Sequence, residues 1–183
     1  MSSFDPNKAE VLDSKWRGEI EPVDLIIDLI RDLGKKEIAV DVGAGTGYYS
    51  IPLSKIFKMV YAIDISFKMA VKLRKKLESL KIDNIGIIVA EKPPDLDFSI
   101  NLILFANVLH EMEKPEIYLS WARRSEYILI VEWKKIDKSP GPPVNERIGE
   151  NELVAMLDGF EIKEINTEIL PFHYVILARS ENN

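Results

Sequence analysis

Residues 40–50 read VDVGAGTGYYS, and no other stretch constrains the fold as tightly. An acid, Asp41, precedes three glycines at alternate positions, Gly43, Gly45 and Gly47. An apolar run over 37–42 leads in, and a helical-looking run over 48–57 leads out. Strand, tight glycine turn and helix start therefore follow in that order. Glycine lacks the Cβ that would block a ligand, so such a turn opens backbone N–H groups to close approach.

Around that turn, apolar runs and helical patterns alternate. Residues 22–33 (PVDLIIDLIRDL) carry apolar side chains at helical spacing, with Pro22 suited to the first turn and Gly34 to the end. Residues 59–63 (MVYAI) predict a second strand, closed by Asp64, and Ser66 is placed to cap a helix over 67–80. Further strands are expected at 85–90, 102–106 and 127–133, with a proline-containing loop at 91–98 and a helix at 115–124. A charged loop over 134–147 holds Pro140, Gly141, Pro142 and Pro143, and 149–157 reads as a short helix. Residues 160–170 and 172–179 read as two strands joined around Pro171. They must be antiparallel, because a parallel connection needs about a dozen residues or more. The central strands are near-continuous apolar runs, as in a sheet covered on both faces. The expected fold class is α/β: an open, doubly wound sheet of about seven strands, mostly parallel, ending in an antiparallel C-terminal hairpin. Residues 1–20, with Trp16 and Arg17, read as an appendage before a single domain over 21–183.

The length, 183 residues, suits one domain, enough to bury roughly 70% of the unfolded surface. A formal net charge of −6 argues against nucleic acid as the main partner, since that affinity normally comes from a broad cationic face. Lys72, Arg74, Lys75 and Lys76 cluster on one expected helix and read as a solvated face. The chain has no cysteine, which excludes disulfides, thiol nucleophiles and cysteine metal sites. Its two histidines, His110 and His173, lie far apart and form no recognisable metal pair. No run approaches the roughly 20 apolar residues of a membrane span. The start, MSSFDPNKAEVLD, lacks the basic and apolar segments of a secretory signal, so a cytoplasmic protein is expected.

A doubly wound sheet binds ligands beyond the carboxyl ends of its strands, where the strand order reverses. The first candidate for a glycine turn there is a dinucleotide such as NAD. Its fingerprint is G-x-G-x-x-G, and here the third glycine comes one residue early, with Tyr48 in the expected place. Asp41 would also face a pyrophosphate unfavourably, whereas it would favour an ammonium or sulfonium. Asp64, about 20 residues on, is placed to accept ribose hydroxyls. A ligand with a cation, a ribose and close backbone contact is S-adenosylmethionine.

With these residues, the chain resembles the class I S-adenosylmethionine-dependent methyltransferases. The likeness is to the type 11, ubiquinone/menaquinone methyltransferase-like small-molecule group. It runs from about Ile20 to Arg179 through VDVGAGTG, YAIDIS, LFANVLHEM, VEWKK, GPP with ERIG, GFEI and HYVILAR. The resemblance implies a Rossmann-like fold whose seventh strand is antiparallel. It also implies that Asp41 helps hold the methionine moiety while Gly43, Ala44, Gly45 and Gly47 wrap it. Asp64 would bind the ribose, Ile65 would pack on the adenine, Glu91 would stand near its amino group, and Asn107 would lie near the methyl-bearing sulfur. Two departures stand out: Asn101 replaces an acid frequent in the family, and the Lys-Pro-Gly-Gly-like turn before the fifth strand is missing from WARRSEYILIVEW.

Methyl transfer from a sulfonium is an in-line displacement in which alignment is worth roughly 7–11 kcal/mol. A base is required only if the nucleophile must lose a proton. His110 is the candidate base; the competing reading is that it caps the next segment or orients Glu111. His173 reads as structural or substrate-lining. Tyr48, Trp16 and Arg17 are candidates to roof the substrate pocket, with simple packing as the competing role for Trp16. Arg147 and the GPP loop either border the substrate mouth or form a surface turn. A nicotinamide-dependent oxidoreductase, a non-catalytic binding module and a protein-modifying methyltransferase remain as alternatives. The acceptor atom is open among carbon, nitrogen, oxygen and arsenic, with thiol-dependent arsenite chemistry disfavoured by the lack of cysteine. Oligomeric state is not written in the sequence.

Overall fold

The computed structural model describes residues 15–181. Along them run α1 (Lys15–Ile20), α2 (Val23–Arg31), β1 (Ile38–Val42), α3 (Ser50–Leu53), β2 (Met59–Asp64), α4 (Phe67–Leu80), β3 (Ile85–Val89) and β4 (Ile100–Ala106). Then come α5 (Pro115–Ala122), β5 (Ser125–Trp133), α6 (Glu150–Ala155), β6 (Phe160–Asn166) and β7 (His173–Ser180). Short 3-10 turns lie at Leu109–Glu111 and Val144–Glu146. One seven-stranded sheet has the order β3-β2-β1-β4-β5-β7-β6. β1 pairs in parallel with β2 on one side and β4 on the other, so strand order reverses there and a crevice opens above their carboxyl ends.

Alternate strand residues feed two separate cores. Leu102, Leu104 and Leu129 face one layer with Ile26, Ile30, Leu73 and Leu77, from α2 and α4. Ile103, Phe105 and Ile130 face the other with Tyr118, Leu119 and Leu153, from α5 and α6. Burial on both faces explains the continuous apolar runs. The Asn101 Oδ1 accepts from the backbone N–H of Glu37 at 3.2 Å and Ile38 at 3.1 Å, tying the start of β4 to that of β1. A carboxylate is not needed for that tie.

The antiparallel pairs are β5 with β7 and β7 with β6. β7 is buried at every position except Arg179 and so sits inside the sheet. β6 alternates, with Glu161 and Lys163 exposed, and takes the edge, where charges discourage pairing with another chain. The join between them is wider than a turn at Pro171. Its backbone N–H groups at Glu168 and Ile169 donate to Asn166 Oδ1 at 3.0 and 2.8 Å.

Helix α3 is much shorter than the run expected over 48–57. Pro52 has no N–H to donate to Tyr48, so the segment breaks into turns. Part of the expected appendage, residues 15–20, forms α1, whose Arg17 guanidinium lies over the Tyr48 ring beside the glycine turn, and residues 1–14 of that segment lie outside the described residues. No helix among the described residues is long and apolar enough to cross a membrane.

Candidate active site

A cavity of about 910 Å³ opens above the carboxyl ends of β1, β2, β4 and β5. That volume lies in the range of small-molecule sites. Gly43, Ala44 and Gly45 form its floor. The backbone N–H groups of Gly43 and Ala44 both donate to Ile63 O, at 2.8 and 3.0 Å. Gly45 N–H donates to Asp64 Oδ2 at 2.8 Å, and Gly47 N–H to Ala44 O at 2.8 Å. This corrects the expectation that the turn offers these N–H groups to a ligand: they are committed to the fold. A phosphate cradle needs them free, so the loop admits a ligand by closeness of approach and not by anion binding.

Gly43 has φ +75°, and a Cβ there would lie 2.4 Å from Val108 Cγ2. Gly47, expected to wrap the ligand, is not in the cavity wall. Its bare backbone instead makes room for Leu73 Cδ1 of α4, which a Cβ would meet at 2.5 Å.

Asp41 is buried and accepts from Ser50 Oγ at 2.5 Å. Burial pushes its pKa up to about 6, against the Ser50 hydroxyl and the charge of Arg17. At the end of β2, Asp64 accepts from Gly45 N–H and from Ser66 N–H, the latter at 2.8 Å. Burial raises its pKa too, and those two bonds oppose the shift. Ile65 is exposed at the rim, and Glu91 lies along the same end with Ala90 and Pro93. Asn107, at φ +55°, donates its own N–H to Val131 O at 2.8 Å. Its Nδ2 donates to both oxygens of Glu21 at 3.0 Å, while Oδ1 is enclosed without a partner among the described residues.

Glu21 is the hub of the roof. Its buried carboxylate accepts from Arg17 Nε at 3.0 Å and from the Tyr49 hydroxyl at 2.6 Å. The Tyr48 hydroxyl donates to Glu21 O at 2.6 Å, and the Arg17 guanidinium sits 4.0 Å from the Tyr48 ring centroid. Trp16, Arg17 and Tyr48 all line the cavity, with Trp16 partly exposed at its edge.

At the opposite end, His110 is buried and lines the cavity. Its Nδ1 lies 2.8 Å from Glu132 Oε2, a carboxylate the sequence reading did not single out, so Glu132 orients the ring. Burial lowers the His110 pKa, but the hydrogen bond and charge of Glu132, with Glu111, outweigh it and leave a net rise above the ordinary value. Arg147 is absent from the cavity wall. Its guanidinium donates to the carbonyls of Pro142, Lys134 and Pro140 at 2.9, 2.7 and 2.8 Å and to Ser139 Oγ at 2.6 Å. It thus holds the GPP loop against Trp133, and Gly141, Pro142 and Pro143 form the wall in its place. His173 is fully buried outside the wall, 4.0 Å from the Trp133 ring centroid. Burial pushes its pKa down to about 4, against the charges of Glu21 and Glu132.

A Methyltransferase domain family model matches residues 40–125. A SAM-dependent methyltransferase from Aquifex aeolicus has the same fold at a TM-score of 0.87 and 28% identity, covering 96% of this chain and 98% of that one. These matches support a class I S-adenosylmethionine-dependent methyltransferase of type 11 kind. Magnesium protoporphyrin IX methyltransferase from Synechocystis PCC 6803, with bound SAH, shares the fold at a TM-score of 0.69 and 20% identity, covering 89% of this chain and 84% of that one. A protein named as a probable cobalt-precorrin-6B C(15)-methyltransferase (decarboxylating) from Methanococcus maripaludis is 27% identical over 108 residues. That match spans 58% of this chain and 52% of the relative, about half its length.

The cavity suits S-adenosylmethionine. Committed loop N–H groups, two carboxylates at the ends of β1 and β2, and the enclosed Asn107 Oδ1 fit a ligand with a cation and a ribose better than a pyrophosphate. Sequence reasoning missed Glu21 and Glu132. Glu132 had a signal: a single charge in the otherwise apolar YILIVEW, which a buried strand tolerates only with partners. Glu21 carried only a faint one, as an acid between Ile20 and Pro22.

Proposed function

We propose that this chain transfers a methyl group from S-adenosylmethionine to a small-molecule acceptor. The observation that carries this reading is the Gly43–Ala44–Gly45 floor, closed to phosphate and flanked by Asp41 and Asp64. Bound there, S-adenosylmethionine supplies a methyl group on a positively charged sulfur. Asp64 and Ile65, above β2, hold the adenosine end with Glu91 beside them. Asp41, Asn107 and the Glu21–Arg17 roof, above β1 and β4, hold the methionine end. The space before His110, Met112, Trp133 and Pro142 takes the acceptor. Water is kept out by Trp16 and Tyr48 on one side and the GPP loop on the other. A nicotinamide dinucleotide does not suit the same floor.

Asp64→Ala should weaken S-adenosylmethionine binding about tenfold or more, since hydrogen bonds to a charged group contribute about 1.5–3 kcal/mol. Unchanged affinity by calorimetry would remove Asp64 as the ribose acceptor.

Asp41 links binding to pH. With its pKa near 6 in the free protein, a cofactor cation beside it favours the carboxylate and expels a proton. Affinity should therefore rise between about pH 5 and 7. Calorimetry at pH 6 in buffers of different ionisation heat should show proton release, lost in Asp41→Asn. In the free protein the sign is opposite for stability. The folded state keeps a proton that the unfolded state has lost, so unfolding free energy falls as pH rises from about 4 to about 6. Equal heats in the two buffers would contradict the pairing of Asp41 with a cation.

A further inference from the structure

Glu132, at the end of β5, is fully buried and ties that strand to the turn after β4. Its Oε1 accepts from the backbone N–H of Leu109 at 2.9 Å and His110 at 3.3 Å. Its Oε2 accepts from Trp133 N–H at 3.1 Å. Both oxygens also meet His110 Nδ1, at 3.1 and 2.8 Å. A carboxylate already accepting from three backbone N–H groups meets the ring as an acceptor, so the ring hydrogen sits on Nδ1. Nε2 is then the lone-pair nitrogen, with no hydrogen-bond partner among the described residues, on a ring that lines the cavity. A tie between loop and strand needs only a neutral acceptor. Burying a charge there costs several kcal/mol unless it is well satisfied, and the side chain on which that charge acts is His110.

We infer that Glu132 is a positioning residue that makes His110 a proton acceptor facing the cavity, and that the methyl acceptor is a group that loses a proton on methylation: an alcohol, phenol, ammonium or acidic C–H. This rests on the methyl-transfer reading. In the step, the acceptor's O–H, ammonium N–H or acidic C–H gives its proton to His110 Nε2. The freed electron pair forms the new bond to the methyl carbon, and the pair of the breaking C–S bond stays on sulfur as a neutral thioether. The imidazolium later releases its proton to solvent. A thioether or arsenic lone pair would attack without losing a proton and leave the dyad idle.

The charged groups acting on His110 are Glu132 from β5, Glu111 on its own turn and Arg147 from the loop beyond β5. The two acids oppose burial and raise its pKa, whereas Arg147 lowers it. An NMR titration of ligand-free protein with nitrogen-labelled histidines tests this directly. With only two histidines, His173 near pKa 4 is separated from His110. Wild type should show His110 as the Nδ1–H tautomer with a midpoint above about 6.5. Glu132→Gln should lower that midpoint by about one unit or more. An Nε2–H tautomer in wild type overturns the proposal even if Glu132→Gln fails to fold, as does an unmoved midpoint in a folded variant. Methylation of catechol or benzylamine that falls about 100-fold in Glu132→Gln supports the acceptor class. Methylation confined to dimethyl selenide overturns it. Calorimetry with S-adenosylhomocysteine tests the methyl-transfer reading separately, since its failure to bind wild type would leave the titration result standing.

Discussion

Replacing His110 with asparagine should lower turnover by about 100- to 10,000-fold while S-adenosylmethionine affinity changes less than about threefold. Asparagine is the informative choice. Its Nδ2 can donate to Glu132 much as Nδ1 does, 2.8 Å away in the native ring, so the buried carboxylate keeps its partner. What is lost is the nitrogen at the Nε2 position. Alignment of acceptor and methyl is left to the walls, from Trp133, Pro142 and Met112, and a residual rate from alignment is expected. Stopped-flow or single-turnover rates, with cofactor affinity measured in parallel, separate the two effects. Full turnover in a folded His110→Asn protein would remove His110 as a base. A parallel loss of cofactor binding would assign it to the cofactor end.

Gly43→Ala is expected to destabilise the fold by about 2–6 kcal/mol and to abolish detectable cofactor binding. Two costs add. A side chain at φ +75° is strained by about 1–3 kcal/mol. The new Cβ would also overlap Val108 Cγ2 at 2.4 Å and Cβ at 2.7 Å, and crowding of this kind costs about 1–3 kcal/mol. Val108 cannot simply withdraw. It precedes the turn whose Leu109 and His110 N–H groups are held by Glu132, so a push there is transmitted to the His110 end of the cavity. Against a total stability of about 5–15 kcal/mol the loss is large. Denaturant unfolding measures it, and a midpoint within experimental scatter of wild type would show that the loop relaxes without strain.

The fold was largely legible because its elements are written locally. The burial of β1, β4, β5 and β7 on both faces demands continuous apolar runs, and the alternation in β6 marks an edge. Ser66 does cap α4, accepting from Met69 N–H at 3.3 Å. Element ends were less legible. Pro52 shortens α3, and Asn166 widens the last hairpin, through backbone groups that no hydrophobic pattern records.

The site divides along the same line. Asp41, Gly43, Ala44, Gly45 and Asp64 are near one another because a strand, its turn and the next strand's end must meet at the switch point, so spacing alone brought them together. Gly47 and Arg147 show where spacing misleads: one glycine serves Leu73, and the arginine spends its donors on the loop that forms the wall. Glu21 meets Asn107 across 86 positions, and Glu132 meets His110 across 22. Local sequence determined the sheet, the glycine turn and the cofactor that suits it, since these follow from periodicity and short-range backbone geometry. Only the tertiary structure decided which buried carboxylate finds which partner. A charge hidden from water takes whichever donors the packed elements bring within reach, and that choice is absent from any stretch of chain read alone.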